Sequence, residues 1–231
     1  MTDLYRAIDS HPKVKKSFIG SGIRYDMLVP EYNKQADPQE LEDYTEEVIT
    51  NHVSGRLKVA PEHTSDPVLR LMRKPSFSYF HQFKKSFDKI NIKKKLNLQL
   101  IPYFISNHPA CEVEDMANLA AETKDMGFKL EQVQGFTPTP MTVATVIYYS
   151  GYHPYTLKKV FVPKTKKEKD EQHRFFFWYK KENKNWIRNT LNKVNRNDLV
   201  QKLLGQEHSR GKSSRSKSPQ GYQSILKNRR Q

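Results

Sequence analysis

From Val14 to Phe136 the chain alternates strand-like and helix-like stretches in regular order, and this alternation constrains the fold more than any other feature. Parallel strands cannot be joined by tight hairpins and need a crossover, usually a helix, so the pattern predicts an α/β fold with a parallel sheet. Four strands are expected, over 15–20, 56–60, 97–106 and 130–137. The first runs into the Gly-rich turn GSGIRYD at 20–26. A helix then starts where Asp37 can act as N-cap, Pro38 as first helical residue and Glu40 as capping-box partner. Leu41, Tyr44, Val48 and His52 share one face of it, and Gly55 can end it. The second strand leads through PEHTSDP to a short helix bearing Val68, Leu71 and Met72, stopped by Pro75. A longer helix follows with Phe80, Phe83, Phe87 and Ile90 on one side, a stripe that reads as core. The third strand leads through NHPAC to a helix whose first turn carries Glu112, Glu114 and Asp115, where carboxylates favour the positive helix end. Val113, Met116, Ala117 and Ala120 form its apolar face and Gly127 closes it.

After Pro140 the pattern changes. Residues 141–163 hold an aromatic patch (Tyr148, Tyr149, Tyr152, Tyr155) and a β-like KKVFVPK; 165–204 read as two or three polar helices carrying Phe175, Phe176, Phe177, Trp178, Trp186, Ile187, Leu191 and Leu199. Beyond Gly205 a Ser/Lys/Arg-rich stretch reads as a disordered basic tail. The expected organisation is therefore 1–140, 141–205 and 206–231.

Charge and cysteine usage narrow the function classes. Lys and Arg number 40 against 25 Asp and Glu, a formal net charge of +15, but the tail alone has seven basic residues and one acidic one. The basic character and the Tyr- and Phe/Trp-rich accessory segments suit a nucleic-acid-binding module that contacts phosphates, with RNA as one partner. The bland alternative treats the lysines at 93–95 and 164–169 as solvated faces. No apolar run is long enough for a bilayer, and the first 20 residues carry Asp3, Arg6, Lys13, Lys15 and Lys16 without an apolar core, which argues against a membrane span and a secretory signal. A single cysteine, Cys111, excludes an internal disulfide and a zinc site built on paired cysteines, and fits a reducing, cytoplasmic setting.

Ligands of parallel α/β folds meet the C-terminal ends of the strands. The polar residues expected there are Ser21 and Arg24; Lys58, Glu62 and His63; Ser106, Asn107 and His108; and Gln134 and Thr137. Arg24 and Lys58 suit a carboxylate or phosphate, and Glu62 with His63 suits ribose hydrogen bonding or proton transfer. The alternative is a buried Glu62–Arg24 ion pair, with His63 and His108 capping the helices that follow them.

These turns also carry a resemblance. KVAPEHTSDPVLRLMRKP (58–75), IPYFISNHPACEVEDM (101–116) and QVQGFTPTPMTVAT (132–145) look like segments of the methylthiotransferase branch of radical S-adenosylmethionine (SAM) proteins. More closely, SGIRYD, HVSGRLKVAPEH, PYFISNHPAC and QVQGFTPTPMTVAT together resemble YgiQ-type radical SAM proteins, in the same order, over 14–165. YYSGYHP, VFVPK and FFFWY resemble that family's C-terminal extension.

The resemblance implies the C-terminal part of a (β/α)6 partial TIM-like barrel, represented by its last four strands, followed by a small, mostly helical extension. It implies SAM and a [4Fe–4S] cluster as cofactors, the cluster reducing the SAM sulfonium to release a 5′-deoxyadenosyl radical. The C-x-x-x-C-x-x-C motif that holds such a cluster and the Gly-Gly-Glu-like turn that holds the SAM amino group are both absent here. The expectation is a C-terminal portion inactive alone: a truncated or split protein, or a non-catalytic remnant that pairs with an N-terminal half on another chain. Ser21, Arg24, Lys58, Glu62, His63, Ser106, His108 and Gln134 would then face a SAM or substrate cavity.

Overall fold

The computed structural model describes residues 2–130 and 133–205. The tail at 206–231, and with it the expectation of disorder, lies outside the described residues. The chain begins with helix α1 (Thr2–Asp9) and, past a 3-10 turn at Tyr25–Leu28, enters α2 (Pro38–Asn51). Asp37 caps α2 as its sequence requires, accepting from the N–H groups of Gln39 (2.9 Å) and Glu40 (3.1 Å). Strand β1 (Arg56–Glu62) is followed by α3 (Asp66–Leu71) and α4 (Ser78–Lys93); β2 (Gln99–Ser106) by α5 (Val113–Asp125); and β3 (Val133–Gly135) by α6 (Val143–Ser150), α7 (Lys166–Arg174), α8 (Lys181–Lys193) and α9 (Asn197–Leu204).

The strands form one parallel sheet in the order β1–β2–β3, with Leu57 beside Leu100, Lys58 beside Ile101 and Phe104 beside Val133. Four strands of a barrel were expected; the described residues give an open three-stranded sheet. The stretch at 15–20 does not become a strand, because its polar groups bond elsewhere. Ser17 N–H donates to Asp9 (2.8 Å) and Ile19 N–H to the His52 carbonyl (2.9 Å). Only Ile23 reaches the sheet, as a one-residue parallel bridge to Val59. Of the fourth, Val133–Gly135 is strand among the described residues, and 136–137 are not.

An element the sequence pattern left unassigned is α6. VATVIYYS is rich in β-branched and aromatic residues and reads as an aromatic patch, yet it coils between two strong caps. Thr142 accepts from the Thr145 N–H (3.3 Å), and Gly151, at φ 76°, donates to the Ile147 carbonyl (2.8 Å). Local capping overrides weak β propensity over so short a segment.

Burial alternates along the sheet. Leu57, Val59 and Pro61 of β1 and Leu100, Pro102, Phe104 and Ser106 of β2 are buried, whereas Lys58 is exposed and Ile101, Tyr103 and Ile105 are half-buried. Parallel sheets are ordinarily covered on both faces; this one is covered on one. The covered side meets the expected Phe80, Phe83, Phe87 stripe of α4, and the same core takes in Phe104 and the accessory residues Phe175 and Phe176. Each such ring contributes about 1.5–3 kcal/mol by leaving water. The small residues Ala117, Ala120 and Ala121 let α5 sit close beneath α7, α9 and the 3-10 turn Phe175–Phe177.

Candidate functional site

A cleft of about 640 Å³ opens where the three strands end. Its floor comes from Glu62 of β1, Ile105 and His108 at and beyond the end of β2, and Gln134 and Phe136 at and beyond β3. Met72 and Lys74 wall one side, and Thr137, Thr139 and the start of α6 wall the other. Both long strands end in a left-handed residue that is not glycine: Glu62 at φ 68° and Asn107 at φ 65°. Such a conformation costs on the order of 1–3 kcal/mol and collects at sites where backbone direction matters.

Three of the eight expected site residues line this cleft: Glu62, His108 and Gln134. The Glu62 carboxylate lies 3.3 Å from the Lys74 ammonium; burial pushes its pKa up, and Lys74 pulls against that shift. His108 donates from Nδ1 to the Pro109 carbonyl (2.8 Å), which leaves Nε2 as the unprotonated nitrogen. Its ring meets the edge of Phe136 at 5.0 Å, and burial lowers its pKa, so the imidazole is neutral at physiological pH.

His63 and Ser106 lie behind the cleft, fully buried. His63 Nδ1 accepts from the Ser65 N–H (3.0 Å), so the ring proton is on Nε2 and is directed at the Cys111 sulfur, 3.4 Å away. Burial, and after it the charge of His108, depresses His63 to about 3, while burial pushes the Cys111 thiol well up. The pair is therefore a neutral imidazole and a protonated thiol. Ser106 Oγ is 3.5 Å from His173 Nδ1 of α7.

Ser21, Arg24 and Lys58 are exposed and do not line the cleft. The Glu62–Arg24 ion pair does not form: Arg24 grips the buried Asp26 through Nε (2.9 Å) and Nη2 (2.5 Å), and Glu62 takes Lys74 instead. Nor do the histidines cap helices. His63 binds a residue ahead of α3, and α5 is capped by Glu112, whose N–H donates to Asp115 (2.9 Å).

Sequence reasoning missed Gln172. This buried α7 side chain accepts from the Asn107 N–H (2.8 Å) and donates to the Cys111 carbonyl (2.5 Å), while the Ala110 N–H donates to Phe161 (2.8 Å). The accessory region thus clamps the β2–α5 turn. Among KKEKDEQHR nothing marks that glutamine as buried.

The donor set does not fit an iron–sulfur cluster. Such a cluster needs three thiolates, and the chain has one cysteine, held as a thiol by burial and, after it, by the charge of Asp115. Among the described residues no three His, Cys, Asp or Glu side chains converge as a metal site. No described helix is long and apolar enough to cross a membrane.

Over 208 residues the chain is 58% identical to a UPF0313 protein of Bacteroides thetaiotaomicron, covering 90% of this chain and 34% of that one. By sequence the chain belongs with the UPF0313 proteins. A UPF0313 protein of Porphyromonas gingivalis is 57% identical over 204 residues (88% of this chain, 32% of that one). One from Methanocella arvoryzae is 43% identical over 190 residues (82% and 30%). A family profile described as "Domain of unknown function (DUF3362)" matches residues 131–225, which include β3 and α6 to α9. The chain spans about a third of the length of the UPF0313 relatives it matches.

Proposed function

We propose that this UPF0313 chain forms one wall of the SAM- and substrate-binding cavity of a YgiQ-type radical SAM enzyme, working in the cytoplasm, with the cluster thiolates supplied from outside the chain. The observation that carries the reading is the cleft at three parallel strand ends, continuous with the uncovered face of the sheet. A sheet with one face buried and the other only half-covered, carrying Lys58 and Glu62 beside Ile101, Tyr103 and Ile105, is what part of a barrel wall would show, and the UPF0313 relatives are long enough to hold the remainder.

The cleft suits SAM in size and lining, since pockets for such ligands run to about 300–1,000 Å³. Glu62 would take an amino group or ribose hydroxyls, Gln134 would offer both a donor and an acceptor, and the neutral His108 would accept at Nε2. Met72, Ile105 and Phe136 supply apolar surface for a purine. Bound SAM supplies a sulfonium with a labile carbon–sulfur bond; the protein's part here is to bind and orient it. Lys74 holds the Glu62 carboxylate in place, and the buried His63–Cys111 pair fixes the turn beneath.

Equilibrium dialysis of SAM and of S-adenosylhomocysteine against the whole chain tests this. Saturable binding is expected, weakened about tenfold by Glu62→Gln, the scale of one charge-assisted hydrogen bond, and weakened likewise by Gln134→Ala. A folded chain that binds neither compound sinks the proposal. Iron–sulfur reconstitution is expected to need a second polypeptide equivalent to the rest of a UPF0313 relative; a cluster built on this chain alone would overturn the account of the thiolates.

A further inference from the structure

We infer that the α6 segment and the loop after it, at the mouth of the cleft, form a docking surface for a single-stranded nucleic acid, with bases stacking on tyrosines and phosphates meeting lysines. The first observation is charge. Between Glu131 and Glu168 there is no acidic residue at all, while Lys158, Lys159, Lys164, Lys166 and Lys167 fall in the same stretch. Glu168, where carboxylates resume, is committed to capping α7: its Oε2 accepts from the Lys164 and Thr165 N–H groups (3.0 and 2.8 Å). Lys158 and Lys159 therefore stand well away in sequence from any carboxylate, whereas Lys166 and Lys167 share the surface of α7 with Asp170 and Glu171.

The second observation is the exposure of rings that a folded chain ordinarily hides. Tyr149 and Tyr155 are each 70% exposed and Tyr152 is 50% exposed. They are not loosely held. Tyr152 pairs with Lys159 in a one-residue antiparallel bridge, the His153 N–H donates to the Lys158 carbonyl (2.9 Å), and Lys164 Nζ donates to the Tyr149 carbonyl (3.1 Å). Ring and cation are thus interleaved on a short, tied segment, the combination by which sequence-tolerant proteins hold single strands.

The third observation joins the surface to the cleft. Arg73 lines the cleft and also sits over the Tyr155 ring, 6.0 Å from its centroid, with Nη2 3.5 Å from the hydroxyl. Met141, fully exposed, and Thr142 at the start of α6 belong to the same rim. A strand lying on the tyrosines would therefore pass the opening beside Glu62 and Gln134. The nucleic-acid surface stands on exposure and charge alone, so it can fail while the SAM reading holds, and the reverse.

Fluorescence anisotropy with labelled oligo(U) and oligo(dT) of about 12 nucleotides on the full chain reads the surface directly, with SAM dialysis on the same variants as the separate readout. Tyr149→Ala with Tyr155→Ala is expected to weaken strand binding by a factor of ten or more and to leave the fold intact, because both rings are exposed. Tyr155→Phe keeps the ring and is expected to keep the affinity. Lys158→Ala with Lys159→Ala should flatten the slope of log affinity against log salt by about 1.4, or ~0.7 for each phosphate no longer neutralised. Tighter binding of either sugar supports the inference. Unchanged affinity and salt slope in all variants would assign the binding to the basic tail and overturn it; so would duplex binding as tight as single-strand binding, or equal displacement by poly-glutamate, which would point to an acidic protein.

Discussion

His63 and Cys111 show how one hydrogen bond decides what a pair of reactive residue types does. Because Nδ1 is occupied by the Ser65 N–H, the Nε2 proton points at sulfur, and neither group is poised to carry a proton near neutrality. The consequence appears in stability. His63 has a depressed pKa in the folded state, about 3 against 6.5 for the free side chain. Its contribution is whole above pH 6.5 and is lost as pH falls toward 3, since only the unfolded chain takes up the proton in that window. Urea titrations from pH 7 to pH 4 are expected to show falling stability, with a shallower fall in His63→Gln; an equal slope in both proteins would remove His63 as the cause. Gly135 carries a second residue-scale prediction. A Cβ there would sit 3.0 Å from Asn107 Nδ2, so Gly135→Ala must displace the side chain that follows β2. A lower melting temperature with weaker SAM binding is expected, and an unchanged protein would show that Asn107 can yield freely.

At the scale of elements, the β2–α5 turn is the joint between sheet and accessory helices. Gln172→Ala would leave the Asn107 N–H and the Cys111 carbonyl without their partner, at about 1–3 kcal/mol for each buried group. The urea midpoint is expected to fall accordingly, and no change would mean that water or another side chain replaces the amide. The parts of the fold legible in the sequence were those whose causes lie within a few residues. Asp37, Pro38 and Glu40 announce α2, and Phe80, Phe83, Phe87 and Ile90 announce α4 by spacing alone. The illegible parts depend on distant partners. Whether 15–20 becomes a strand depended on where Ser17 and Ile19 find their bonds, and α6 depended on caps that outweighed its β-rich composition. The same division holds at the cleft. Glu62, His108 and Gln134 could be read from strand ends, whereas Gln172, 61 residues from Cys111, carried no local mark.

For the whole molecule, the net charge of +15 has an uneven meaning. Lys93 and Lys94 both pair with Glu46 (3.1 and 2.5 Å), which makes that cluster a solvated, locally balanced face. Lys158 and Lys159 have no carboxylate near them in sequence, and the outward-facing tyrosines lie just ahead of them in the chain. The covered face of the sheet joins residues of the α/β region and of the accessory helices in one core, so the two regions are expected to melt together. A single calorimetric transition would agree, and two resolved transitions would contradict a shared core.

The one-residue bridge at Ile23 sets how tightly the sheet is held across its width. β2 has a neighbour on each side, but β1 has β2 on one side and little more than the Ile23 N–H to Lys58 carbonyl bond (3.2 Å) on the other. In heavy water, β2 amides should therefore trade their protons last, and the outward amides of β1 should trade theirs early although the side chains of Leu57 and Val59 are buried. Early labelling of β1 would mark the side on which the sheet can be extended, and its slowing on addition of a second polypeptide would report the arrival of a neighbouring strand.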